Sequence, residues 1–408
     1  MTDPNTNKIL EGVRVVELAA WTFVPTAGAV LADWGADVLK IEHPETGDPQ
    51  RALVSSGIVP SAGSVNHFVE QPNRGKRSVG INVQNPEGLA VLAKLLETAD
   101  VFVTNLLPDS IERLGLTVDE VRAINPKIVY ARGHGYGTRG AEATRGGYDL
   151  AAYWSRSGVG DAYAPLDGGY PPIQRPAFGD VFGGFALASG IVGSLFKRER
   201  TGEADTVDVS LVALGMWQIA TDIVAAGVTG SPMPKYDLSE MPNPAASLYR
   251  TSDGRFLAFV LLQADRFWKE FCERLGRPDL IDDERFANAG LRFQNRAECV
   301  TQLRETFGSQ PLEHWKAAFK GFEGVWDVVQ SSLDMHSDPV VEANGYLPRL
   351  TDGNGNEFAV VDSPVQFNER PNAEMRAPEH GEHTELVLVE AGIEWDEIAR
   401  LKESGAIL

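Results

Sequence analysis

The sequence predicts an α/β fold with a mostly parallel sheet, on three observations. Short β-branched, apolar runs alternate with helical stretches through the first two hundred residues. Helix start and stop signals fall between those runs. The loops joining them are rich in Gly, Pro, Asn and Ser. Alternation of this kind is the mark of βαβ units.

The elements follow in order. Val13–Leu18 reads as a strand and Pro25–Trp34 as a helix, with Pro in its first turn and Gly35 as its stop. Asp37–Glu42 reads as a second strand. A loop from Gly47 to Arg77 leads to a third strand over Ser78–Val83. Asn85-Pro86 caps a helix reaching Thr98, and Val101–Val103 is a further strand. Thr117–Glu120 is a capping box, and Lys127–Ala131 is strand again. Phe178–Gly202 is a long helix spotted with Gly183, Gly184, Gly190 and Gly193. It ends in Lys197, Arg198 and Arg200 before Gly202, the charges and the stop that a helix C-terminus favours. Its small residues predict close packing against a neighbour. Thr206–Leu211 follows as strand. Past residue 225 the texture changes: Ser231–Pro234 and Pro242–Pro244 read as linkers, and Ser247–Arg250 with Phe256–Leu262 as a hairpin. Amphipathic helices follow over Arg266–Leu275, Arg296–Phe307 and Leu312–Phe319, and helix returns over residues 383–404.

Composition narrows the function. The chain has 408 residues, 37 Lys+Arg against 57 Asp+Glu, and a formal charge of −20. A chain so acidic lacks the basic field that nucleic acids and anionic membranes require, so neither is expected as a partner. The two cysteines, Cys272 and Cys299, exclude a disulfide scaffold. The start, Met1–Asn5, is polar and acidic with no signal pattern, and the longest near-apolar run, Gly183–Phe196, is short for a bilayer. A cytoplasmic protein is expected. Seven histidines show no metal-ligand spacing, so no metal site is expected. Gly135–Gly140 matches G-x-G-x-x-G but opens no apolar helix, which leaves a glycine-rich turn. There is no phosphate loop of the G-x-x-x-x-G-K-[ST] type and no G-x-S-x-G elbow.

Two places invite chemistry. Asn73–Ser78 carries Arg74, Lys76 and Arg77, either a phosphate-holding loop or a solvated turn. Asp180 stands at the head of the glycine-spotted helix. It either caps that helix or acts as a carboxylate nucleophile whose ionised form the helix dipole favours. The glycines around it would leave amide donors open to an oxyanion.

At these residues the sequence resembles the family III CoA-transferases, a superfamily with formyl-CoA transferase, carnitine CoA-transferase and α-methylacyl-CoA racemase. The matching stretches are Leu10–Glu17, Gly35–Glu42, Gly75–Ser78, Ala99–Asn105, Gly147–Asp149, Gly179-Asp180, Arg198–Gly202 and Ala377–Thr384, collinear over nearly the whole chain. The resemblance implies a Rossmann-like large domain built from both chain ends (residues 1–225 and 336–408), with a smaller α+β domain (226–335) inserted. It implies an interlocked homodimer. Coenzyme A or acyl-CoA would be a substrate rather than a permanently bound cofactor, and the partners an acyl-CoA donor and a carboxylic acid acceptor. Asp180 would be the catalytic nucleophile. Trp21 and Thr22 would line the CoA entry, and His43 would lie near the nucleotide, where formyl-CoA transferase has Arg. Ile81, Asn105, Ser110 and Arg113 would contact the cofactor, with Lys76 and Arg77 near its phosphates. The family's lysine is displaced here: Gly146 takes its place, with Arg145 beside it as substitute. Tyr148 and Asp149 would precede the nucleophile's loop. The racemase branch places an acid/base His where this chain has Tyr148. A phenol of pKa about 10 is a poor proton shuttle at neutral pH, which favours transfer over racemisation. The glycine run that forms a lid in formyl-CoA transferase is missing near Leu262–Asp265. A racemase, or an acyl-CoA-binding protein in which Asp180 only caps its helix, remain the alternatives.

Overall fold

The computed structural model describes residues 9–60, 62–63, 65–372 and 375–408. The amino-terminal segment Met1–Asn5 thus lies outside the described residues.

Six parallel strands form the central sheet: β1 (Arg14–Leu18), β2 (Asp37–Glu42), β3 (Arg77–Gly80), β4 (Val101–Thr104), β5 (Val129–His134) and β6 (Thr206–Ser210). Their spatial order is β3-β2-β1-β4-β5-β6, every neighbouring pair parallel. This is the doubly wound order in which the chain reverses direction of progress between β1 and β4, and a crevice opens there at the carboxyl ends. Strand β4, Val101–Thr104, is buried at every position and largely apolar, as a strand covered on both faces is.

The helices between them are α1 (Phe23–Asp33), α2 (His67–Asn73), α3 (Pro86–Leu96), α4 (Pro108–Leu114), α5 (Val118–Ile124), α6 (Val159–Ala162), α7 (Phe178–Thr201), α8 (Leu211–Gln218) and α9 (Ala220–Thr229). Asn85 caps α3 by accepting the Glu87 N–H at 2.9 Å, and Thr117 with Glu120 closes the capping box of α5. The segment Gly47–Arg77, expected as loop, holds α2 despite Pro72.

The close packing expected of the glycine-spotted helix is present. A Cβ on Gly183 would lie 2.5 Å from the Phe23 ring, and one on Gly184 the same distance from Thr26 Cβ, so these glycines let α1 and α7 touch. The length expectation is corrected: α7 as a whole, 24 residues, is long and apolar enough to cross a membrane, because Phe178–Phe182 extend the run.

The chain divides into two compact units. The described residues of Met1–Ala164, Tyr170–Pro232 and Pro339–Leu408 make the first; Pro165–Gly169 and Met233–Asp338 make the second. The first therefore runs past residue 225 to include all of α9. In the first unit, Leu388, Ile398, Leu401 and Ile407 pack into one core with Val16, Leu92 and Phe102. The second unit carries a three-stranded antiparallel sheet of β7 (Leu248–Arg250), β8 (Phe256–Phe259) and β9 (Trp326–Val328). Its helices bury Phe259, Phe271, Phe307 and Phe319 in an aromatic core.

Candidate active site

A cavity of about 330 Å³ opens at the carboxyl ends of β1, β4 and β5. That is the lower range of small-molecule sites. Six of the residues singled out from the sequence line it: Trp21, Asn105, Ser110, Arg145, Tyr148 and Asp180.

The wall after β1 is unusual in its backbone. Trp21 has φ +68°, a left-handed conformation that costs a non-glycine residue free energy and persists where its surroundings enforce it. Its N–H donates to Asp48 Oδ1 at 3.2 Å. Asn105, just past β4, ties this turn down: its Nδ2 donates to the Ala20 carbonyl at 2.7 Å, and its Oδ1 accepts the Ala20 N–H at 3.2 Å. The Trp21 and Tyr148 rings meet edge to face, 5.8 Å between centroids. Arg145 pairs with Glu142 at 2.9 Å and lies over the Tyr136 ring.

Asp180 sits at the third position of α7, inside its first turn, and does not cap it. The N-cap is Ala177, with φ +61° and no side-chain oxygen to offer. The cap comes from Asp149: its two carboxylate oxygens each accept the Gly179 N–H at 3.1 Å. A Cβ on Gly179 would approach Asp149 Oδ1 to 2.5 Å and collide with Tyr153, so only glycine fits there. Partly buried Asp180 has no hydrogen-bond or ion-pair partner for its carboxylate among the described residues. Burial pushes its carboxyl up to about 7, and the Asp149 carboxylate adds to the effect. The ionised form that the helix dipole was expected to favour is opposed first by burial and then by the Asp149 carboxylate.

Other expected contacts lie elsewhere. Lys76 is buried, its Nζ donating to both Glu17 oxygens at 2.9 and 2.8 Å, to the Pro25 carbonyl and to Asn73 Oδ1. Arg77 pairs with Asp37 and Glu390, and Arg74 with Asp33, so all three cations of the supposed phosphate loop are committed within the fold. Ile81 is 1% exposed, in the core with Leu39 and Ile41. Thr22 Oγ1 accepts from Gln50 Nε2. The His43 ring accepts the Glu45 N–H, and its carbonyl accepts from His380 Nε2. Arg113 is exposed and bonds to Ser110 Oγ at 3.1 Å. Asp149 caps α7.

One residue of the cavity escaped the sequence reading. His134, at the end of β5, lines the cavity with its Nε2 3.3 Å from Asp208 Oδ1 on β6. Burial raises the Asp208 carboxyl, yet hydrogen bonds from His134 and Arg132 hold it at about 2. Its signal was available: a histidine at the carboxyl end of a parallel strand, where ligands bind.

Residues 10–384 match CoA-transferase family III. The chain belongs to CoA-transferase family III. It is 33% identical over 403 residues to (R)-2-hydroxy-4-methylpentanoate CoA-transferase of Clostridioides difficile, covering 98% of this chain and 99% of that one. It is 32% identical to cinnamoyl-CoA:phenyllactate CoA-transferase of Clostridium sporogenes, covering 99% and 98%. Among solved structures it resembles a CAIB/BAIF family protein from Brucella suis, with TM-score 0.82 and 26% identity over 95% of this chain and 100% of that one. The protein is an enzyme of this family, a transferase acting on CoA thioesters.

Proposed function

We propose that this transferase moves coenzyme A from an acyl-CoA donor to a carboxylic acid acceptor through covalent intermediates on Asp180. The observation that carries the reading is an unpartnered, partly buried carboxylate facing a cavity at the sheet's switch point. A carboxylate nucleophile needs freedom from ion pairing and partial desolvation, and Asp180, unpaired among the described residues and partly buried, has both.

In the proposed cycle an Asp180 oxygen attacks the thioester carbonyl. The carbon–sulfur bond breaks, giving a mixed anhydride and free CoA thiolate. The thiolate attacks the aspartyl carbonyl, forming an aspartyl-CoA thioester and releasing the donor acid. The acceptor carboxylate then attacks that thioester, and the returning thiolate takes the acceptor acyl group, restoring Asp180. One thioester replaces another, so no phosphate anhydride is consumed. Trp21, Asn105, Ser110, Arg145 and Tyr148, which line the cavity, would flank the pantetheine arm. An acceptor screen begins with (R)-2-hydroxy-4-methylpentanoate and phenyllactate, the acids named for the two relatives. A cytoplasmic homodimer is part of this reading: α9 is apolar yet buries no residue, and Trp217, Val224 and Val228 of α8 and α9 are exposed, as a subunit interface would require.

A second reading, proton exchange at the α-carbon, draws on His134, which with Asp208 supplies the acid/base histidine that Tyr148 does not. Incubation with acyl-CoA followed by hydroxylamine separates the two. A hydroxamate on Asp180 is expected, and Asp180→Ala should abolish turnover while CoA still binds. An unmodified Asp180 together with α-deuterium exchange would replace transfer by isomerisation.

A further inference from the structure

We propose that Asp149 is a positioning residue for Asp180: it takes the first amides of α7 for itself and so governs the charge state of the nucleophile. The inference rests on the reading of Asp180 as nucleophile. A helix leaves its first amides without internal partners, and an anion placed there is stabilised by the dipole. Two carboxylates compete for that place. Asp149, thirty residues earlier in the chain and only 7% exposed, wins it with both oxygens on the Gly179 N–H. The left-handed turn at Ala177 brings the chain into α7 without a side-chain cap of its own, which leaves the amides open to Asp149.

The result is a second carboxylate beside Asp180, itself pushed up by burial, and among the described residues no cation offsets the pair. The titratable groups around the head of α7 are Asp149, Tyr153, Tyr148, Tyr163, Arg145, Arg175 and His134. Arg145 is committed to Glu142 and His134 to Asp208. From α1 the face against α7 is Phe23 and Thr26, and from α8 the cavity receives Leu211, so neither helix brings a charge. Like charges this close raise the carboxyl that is less well hydrogen-bonded, here Asp180. A nucleophile whose carboxyl is raised in this way ionises readily once a cationic contact arrives with substrate.

The test is the titration of Asp180 by carbon-13 NMR of aspartate carboxyls in the full chain, its signal identified by its loss in Asp180→Asn. In Asp149→Asn, which keeps an oxygen for the Gly179 N–H but removes the charge, the Asp180 titration should move down by about one pH unit. The acid limb of the kcat/KM profile should move with it. A purely structural role would lower the rate at every pH without moving the limb. Asp149→Ser, a smaller neutral cap, should shift the titration the same way and serves if the first variant fails to fold. An Asp180 titration unmoved in either variant, or one near 4 in the wild type, would overturn the proposal. A shift with no hydroxylamine-trapped adduct would keep the coupling and remove the nucleophile.

Discussion

Two groups of acidic side chains shape the cavity, and they are built on opposite rules. Behind the Trp21 turn, Glu17, Lys40, Lys76 and Asp48 are almost wholly buried, and each charge has a partner. Lys40 Nζ lies 2.8 Å from Asp48 Oδ2 and 3.3 Å from Glu17 Oε1, while Lys76 takes both Glu17 oxygens. Burial pulls the Lys76 ammonium down, whereas at Lys40 the Asp48 and Glu17 carboxylates outweigh burial and raise it. At the head of α7, Asp149 and Asp180 are two carboxylates with no cation between them. The paired cluster holds a shape: Asp48 accepts the Trp21 N–H and keeps that residue in its left-handed conformation. The unpaired carboxylates hold Asp180 in its protonated form up to about pH 7. Matched burial yields rigidity, and mismatched burial yields reactivity.

Breaking the paired cluster should cost most. Lys40→Met leaves Glu17 and Asp48 with too little positive charge in a dry site and should remove about 3–5 kcal/mol in urea unfolding. A loss under about 1 kcal/mol would show that the cluster is not ionised. The carboxylate pair should respond with the opposite sign. Folded wild type keeps a proton on Asp180 up to about pH 7, whereas the unfolded chain releases it near 3.8, so stability falls as pH rises between those values. Asp180→Asn abolishes that fall. Its advantage over wild type should grow from pH 4 to pH 7 and level off above, reaching about 1–2 kcal/mol after allowance for the partial exposure of the group. An advantage that does not change with pH would place the Asp180 titration at its ordinary value. The smallest effect belongs to a solvated pair of the same fold. Lys94 and Glu97, 2.7 Å apart and about half exposed, should lose no more than about 0.5 kcal/mol on Lys94→Ala.

The sheet was legible where local pattern suffices. Asp37–Glu42 is a strand over the residues expected, and the Thr117 capping box and the whole of α7 also follow from short-range signals. Helix α2 was hidden by Pro72 and by polar surroundings, and β9 by its three-residue length. In the site, Asp180, Trp21, Asn105 and Tyr148 could be singled out from the chain, yet Lys76 and Ile81 could not be told from surface contacts. Their directions depend on what lies behind the sheet: Glu17 from β1 draws Lys76 inward, and the core under β2 and β3 receives Ile81.

By itself, then, the order of residues determined which segments become strands and helices, because pitch, pleat and capping act over a few neighbours. It also determined that an acidic residue would head a glycine-faced helix. Only the tertiary structure decided which of two aspartates takes the amides of that helix and which is left facing the cavity. That outcome turns on Asp149 arriving from thirty residues away, and electrostatic energy depends on distance in space rather than separation along the chain.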